Sequence, residues 1–234
     1  MAIFTVTAVT TTSRIGAFAQ LASGGGWKTS ITLVNLSSVR VTARINFYAD
    51  NGTPLTLPLS VIQTGTNSTN STVDATIEPN GTFVVESDAA ASLVVGWADV
   101  QASGPLTGYA VFRFRTPGAP DSEGAVPLDS RASSSMVIPY DNMTGFQSGL
   151  ALVNQSSAVT SVSVTVRDTD GLLVGVAQIP LPSLGHAAFF VSDFIPLARN
   201  RRGILEIQNP AGNVTGIGLR FNPFGTFVSL PIIR

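Results

Sequence analysis

Trp27-Lys-Thr-Ser-Ile-Thr-Leu-Val-Asn-Leu-Ser-Ser-Val-Arg-Val-Thr-Ala-Arg-Ile-Asn-Phe-Tyr-Ala-Asp-Asn-Gly52 decides the fold. Trp27, Thr29, Ile31 and Leu33 alternate with Lys28, Ser30 and Thr32. After a short turn, Val39, Val41, Ala43, Ile45, Phe47 and Ala49 alternate with Arg40, Thr42, Arg44, Asn46 and Tyr48. A period of two over such lengths marks half-buried β-strands. Asn51-Gly52 supplies the dipeptide of a tight hairpin with positive φ at both centres, and Leu55, Leu57 and Leu59 alternate on the return.

Working outward, Val162, Val164 and Val166 show the same period, with Asp170-Gly171 as the matching turn. Further strands are predicted at 83–85, 93–100, 108–115, 204–208, 216–221 and 227–233. Helix is confined to single turns near Asp88–Ser92 and Ser192–Leu197, where Pro196 limits extension. Many short strands between Gly, Pro and Asn turns predict an all-β chain of antiparallel sandwiches, Ig-like or jelly-roll-like.

The chain repeats itself. Leu33-Val-Asn-Leu-Ser-Ser38 matches Leu152-Val-Asn-Gln-Ser-Ser157, and Gly52 matches Gly171, both at an offset of 119 residues. Thr107-Gly-Tyr-Ala-Val-Phe-Arg-Phe114 parallels Thr215-Gly-Ile-Gly-Leu-Arg-Phe221 near the ends of the two halves, and Ala125-Val-Pro-Leu128 resembles Val228-Ser-Leu-Pro231. Two tandem sandwich domains are therefore expected, at 1–130 and 131–234, divided by the polar stretch Asp129–Ser135. The first is longer because of a polar loop at 63–72, and it opens with a strand at 2–10.

Composition limits function. The 234 residues hold 13 Lys+Arg against 14 Asp+Glu, a net charge of −1, 44% hydrophobic residues, one His and no Cys. Such a chain has no field for nucleic acid or anionic lipid. It cannot form disulfides, thiolate metal sites or a thiol nucleophile. No run reaches the roughly 18 to 20 apolar residues of a membrane-spanning helix. The opening residues lack the basic start of a signal peptide, so Ile3-Phe-Thr-Val-Thr-Ala-Val9 reads as a strand and any leader is expected to lie outside this chain.

Phe18-Ala-Gln-Leu-Ala-Ser-Gly-Gly-Gly-Trp-Lys-Thr-Ser-Ile-Thr-Leu-Val-Asn35, Asn51-Gly-Thr-Pro-Leu55, Val95-Gly-Trp-Ala98 and Gly108-Tyr-Ala-Val-Phe-Arg113 resemble β-sandwich repeats of large secreted bacterial surface proteins. Gly149-Leu-Ala-Leu-Val-Asn154, Gly185-His-Ala-Ala-Phe-Phe190 and the run from Gly203 to Phe221 carry the resemblance into the second copy. It implies extracellular spacers, adhesive units or appendages, with no catalytic motif.

Candidate chemistry is thin. His186 precedes an apolar strand, but no Gly-x-Ser-x-Gly elbow accompanies it, and a structural role at a strand entrance is the better account. Asp168 and Asp170 flank a hairpin, where Asp caps turns; the full calcium-loop spacing is missing. Gly24-Gly-Gly26 is followed by a strand, not the helix of a phosphate loop, and reads as a flexible turn. Trp27 and Trp97 read as core, whereas Tyr48, Tyr109 and Tyr140 are candidate surface contacts for a glycan. Arg40, Arg44, Arg199, Arg201 and Arg202 read as solvated faces. Asn-x-Ser/Thr sequons at Asn35, Asn51, Asn67, Asn70, Asn80, Asn142, Asn154 and Asn213 are compatible with a surface location.

The sequence thus predicts a non-catalytic extracellular or cell-surface module without a cofactor or bound metal, whose partner is a further copy of itself in a fibre or adhesive appendage. Sparsely charged strand edges favour such assembly. Ile3, Phe4, Val6 and Val9 form the candidate assembly strand, able to add to a neighbour's sheet. The alternative is a carbohydrate-binding module of a secreted multidomain protein.

Overall fold

The computed structural model describes residues 11–87, 92–115, 118, 121–131 and 133–234. The candidate assembly strand at 3–9 and most of the predicted turn at 88–92 lie outside them.

Among the described residues, ten strands precede the polar stretch at residue 129: β1 (Ser13–Ser23), β2 (Trp27–Val34), β3 (Val41–Tyr48), β4 (Leu57–Val61), β5 (Thr66–Asn70), β6 (Thr72–Ile77), β7 (Thr82–Ser87), β8 (Val94–Ala102), β9 (Thr107–Phe114) and β10 (Ser122–Pro127). Eight follow it: β11 (Ser135–Asp141), β12 (Gln147–Asn154), β13 (Thr160–Asp168), β14 (Leu173–Leu181), β15 (His186–Phe190), β16 (Arg202–Gln208), β17 (Val214–Phe221) and β18 (Phe227–Leu230). One helical turn, α1 (Val191–Phe194), and a 3-10 turn at Pro196–Ala198 fall where Pro196 was expected to limit extension.

All strand pairs are antiparallel. Sheet I runs β1-β8-β3-β6 and sheet II runs β10-β9-β2-β7-β4-β5; sheet III runs β11-β16-β13-β14 and sheet IV runs β15-β12-β17-β18. Sheets I and III have the same order, strand for strand. Sheet IV reproduces β7-β2-β9-β10 of sheet II, which adds β4 and β5 at its edge. The protein is an all-β molecule of sandwiched antiparallel sheets.

The alternation read from the sequence is the burial pattern. Ile31 and Leu33 of β2, Val41 to Phe47 of β3, and Val162, Val164 and Val166 of β13 turn their apolar residues into two cores. The hairpin at Asn51-Gly52 differs from expectation. Gly52 alone takes positive φ, at 82°, and Leu55 bonds back to Phe47 before the chain leaves sheet I and enters sheet II as β4. The polar segment 63–72 is not an open loop. After a turn at 63–65, Thr66–Asn70 forms β5, because its backbone pairs with β4 from Leu57 to Val61, and Thr72 begins β6.

One sheet is buried on both faces. Leu150, Leu152 and Val214 of sheet IV face the second core, while Ala151, Val153, Ile217 and Phe227 belong to the first. Phe227 stacks on Phe112 with ring centroids 5.4 Å apart and lies the same distance from Trp27. Sheet IV therefore covers the side of the first sandwich formed by β8, β1 and β10.

Candidate functional site

The seam between the halves gathers the polar groups with the most chemical potential. Gly52 ends the β3 hairpin against the Ser183-Leu184 backbone of the second half, so close that a Cβ there would lie 1.9 Å from the Ser183 carbonyl oxygen. Leu184 takes φ +52°, and its carbonyl accepts a 2.8 Å hydrogen bond from Trp97 Nε1. Tyr48 stacks on the Trp97 ring at 4.9 Å, so Trp97 is fully buried, but at the seam and not inside one sandwich.

Two residues later, the His186 amide donates to the Asp50 carbonyl at 3.0 Å. His186 Nδ1 lies 2.8 Å from Asp50 Oδ1 and Nε2 lies 2.9 Å from Gln20 Oε1; Gln20 Nε2 donates to the Leu21 carbonyl, which orients its amide. The ring is fully buried and joins β15 to β1 and to the β3 hairpin. Neither nitrogen faces a serine hydroxyl, and taking a proton from a third group would break a bond across the seam. Its geometry is that of a positioned cross-link.

The far end of the seam is ionic. Arg14 of β1 binds Asp99 of β8 and the Gln155 carbonyl of the second half. Asp99 is wholly buried and also accepts from Asn46 at 3.2 Å and Gln101 at 3.1 Å, which satisfies a carboxylate that burial would otherwise penalise. Asp129 closes the junction: its backbone pairs with Ala17, and its carboxylate accepts from Thr215, Arg234 and the Arg131 amide. Burial pushes the Asp129 carboxyl up, but the Thr215 hydroxyl and the Arg234 guanidinium outweigh it and hold it below the ordinary value. A depressed carboxyl adds stability above its unfolded value of about 3.9, and that stability is lost as pH falls through the folded value. Acid thermal melts should therefore show the wild type losing Tm below about pH 4 more steeply than Asp129→Asn. Parallel curves would show that these bonds hold nothing.

Between β8 and sheet IV the seam opens into an apolar cavity of about 250 Å³, walled by Trp27, Val95, Phe112, Phe189, Phe190 and Phe221. Gln20, already bound to His186, is its one polar side chain among the described residues.

The three candidate tyrosines do not converge. Tyr48 lies half-buried on Trp97, Tyr109 is 47% exposed on the outer face of sheet II, and Tyr140 sits in the second core. Tyr140 is thus no surface contact: the alternation of β11 turns it inward at 3% exposure, and burial pushes its hydroxyl up. Asp168 Oδ1 accepts from the amides of Asp170 and Leu172, a turn cap. Arg40 and Arg44 pair with Glu78 and Asp74 on an exposed face.

The sequons divide sharply. Asn35 and Asn154 are 0% exposed, and each organises a loop in the same way. Asn35 Nδ2 donates to the carbonyls of Val39, Ile77 and Glu78, while Ser37 donates to its Oδ1 through both amide and hydroxyl. Asn154 donates to Ala158 and Pro182 and accepts from Ser156 likewise. These positions and the buried Asn142, whose amide donates to Ala198, are closed to a glycan; Asn51, Asn67, Asn70 and Asn80 are exposed.

Fold and seam together define a β-sandwich protein whose halves are bonded into each other. No protein-family model matches this sequence, and no curated protein sequence matches it. Among solved structures it is similar to Arthrobacter globiformis T6 isomalto-dextranase complexed with panose, at 13% identity and a TM-score of 0.27. The alignment covers 90% of this chain and 35% of that one, so this chain spans about a third of that enzyme's length.

Proposed function

We propose that this chain is a non-catalytic structural module of an extracellular or cell-surface assembly, and that it works by associating with copies of itself. The observation that carries this reading is the seam. Tandem domains joined by a bare linker move freely, whereas here an aromatic plug, a His186 cross-link and the Arg14 bond to the Gln155 carbonyl join the halves. A stiff double unit is what a fibre or spacer needs. His186 and the buried asparagines hold loops in place, a positioning role and not a chemical one.

Ile3-Phe-Thr-Val-Thr-Ala-Val9 supplies an uncharged strand-forming segment for addition to a neighbour's sheet. Negative-stain microscopy and sedimentation velocity of the full chain should show filaments or ordered oligomers, and deletion of residues 1–9 should remove the filaments while leaving a folded protein. A chain that stays strictly monomeric at high concentration and binds a glycan array would overturn the reading in favour of a carbohydrate-binding module.

A further inference from the structure

The two halves carry the same edge strand twice, and the two edges differ. β6 ends sheet I and β14 ends sheet III, each paired on one side only among the described residues. β6 is Thr72-Val-Asp-Ala-Thr-Ile77, with Asp74 held by Arg44 at 2.7 Å on the outward face. A short edge carrying a charge is protected from pairing. β14 is Leu173-Val-Gly-Val-Ala-Gln-Ile-Pro-Leu181, longer and without a charge. Leu172, Leu173 and Val176 are all more than half exposed along it, and Leu197, 60% exposed, packs over Gly175.

We propose that the free edge of β14 is an interface for a second copy of this chain, the two β14 strands pairing antiparallel about a twofold axis so that two sheets III become one continuous sheet. An uncharged strand does not repel its own copy, and a twofold contact requires a patch to match itself. Leu172, Leu173, Val176 and Leu197 place apolar surface along that edge. Pro180, which has no N–H to give, ends the ladder before the strand does. The inference rests on the self-associating reading and names where one contact forms.

Val176→Lys puts two like charges beside the axis without entering the core. Sedimentation velocity of the full chain should show a dimer weakened about fivefold, with far-UV circular dichroism and Tm unchanged. The chain has no cysteine, so Val176→Cys should cross-link to dimer with a short bis-maleimide, while Tyr109→Cys on sheet II should not. Deleting residues 1–9 should leave this dimer intact. Assembly that persists unchanged in Val176→Lys, with no cross-link at position 176, overturns the interface alone; a wild type that is monomeric throughout overturns the self-associating reading with it.

Discussion

Gly52→Ala should destabilise the protein by about 3 kcal/mol or more, whereas Gly171→Ala, at the matching place in the second repeat, should cost about 1 kcal/mol. The backbone demand is the same, since the two glycines take φ of +82° and +78°. Their surroundings are not. A Cβ on Gly171 meets nothing within 4 Å, but one on Gly52 would lie 1.9 Å from the Ser183 oxygen and 3.2 Å from the Leu184 carbonyl carbon. To make room, the segment that binds Trp97 and leads into His186 must retreat. Subtracting one loss from the other isolates the fit of the seam from turn strain, in thermal or urea melts followed by tryptophan fluorescence. Equal losses would mean that the 183–184 loop yields easily and the halves are loosely joined.

The second large effect is expected at Asn35. Asn35→Ala removes the donor to three carbonyls and the acceptor of two Ser37 bonds in one step. Buried groups left unpaired cost about 1 to 3 kcal/mol each, so a loss of about 3 kcal/mol, or roughly 6 to 12 °C in Tm, is expected. Asn35→Asp should do no better despite its shape, because a carboxylate faces the same carbonyls with nothing to donate. Asn67→Ala, at an exposed sequon, should stay within about 0.5 kcal/mol of wild type. A harmless Asn35→Ala would mean that the loop has another way to close.

Where one face of a strand meets solvent, the sequence announced the structure. β2, β3 and β13 alternate as read, because their outward residues are free to be polar. β1 and β12 do not alternate: from Gly16 to Ser23 and from Ser148 to Asn154 every residue is buried, since sheet IV lies against both cores. Two-sided burial erases the period of two, and so no alternation points to β1. The seam left still less trace. His186 meets partners 136 and 166 residues away, a coincidence of tertiary structure with no local pattern. The buried asparagines did leave one. Their Leu-Val-Asn-x-Ser-Ser context repeats at the 119-residue offset, and what resembles a glycosylation signal is a loop-folding device used twice.

The seam also makes the two halves unequal. The strand of the second half that answers to β8 is β16. Where β8 gives Trp97 to the Leu184 carbonyl of the second half, and Asp99 to the Arg14 that binds Gln155, β16 carries Arg202 and Glu206, paired with Asp141 and Arg167. A third unit arriving as the second does would have to strip water from those charges with no aromatic partner to receive it. The duplication is therefore unequal: on matching strands the first half presents a face that the second half covers, and the second half presents paired charges.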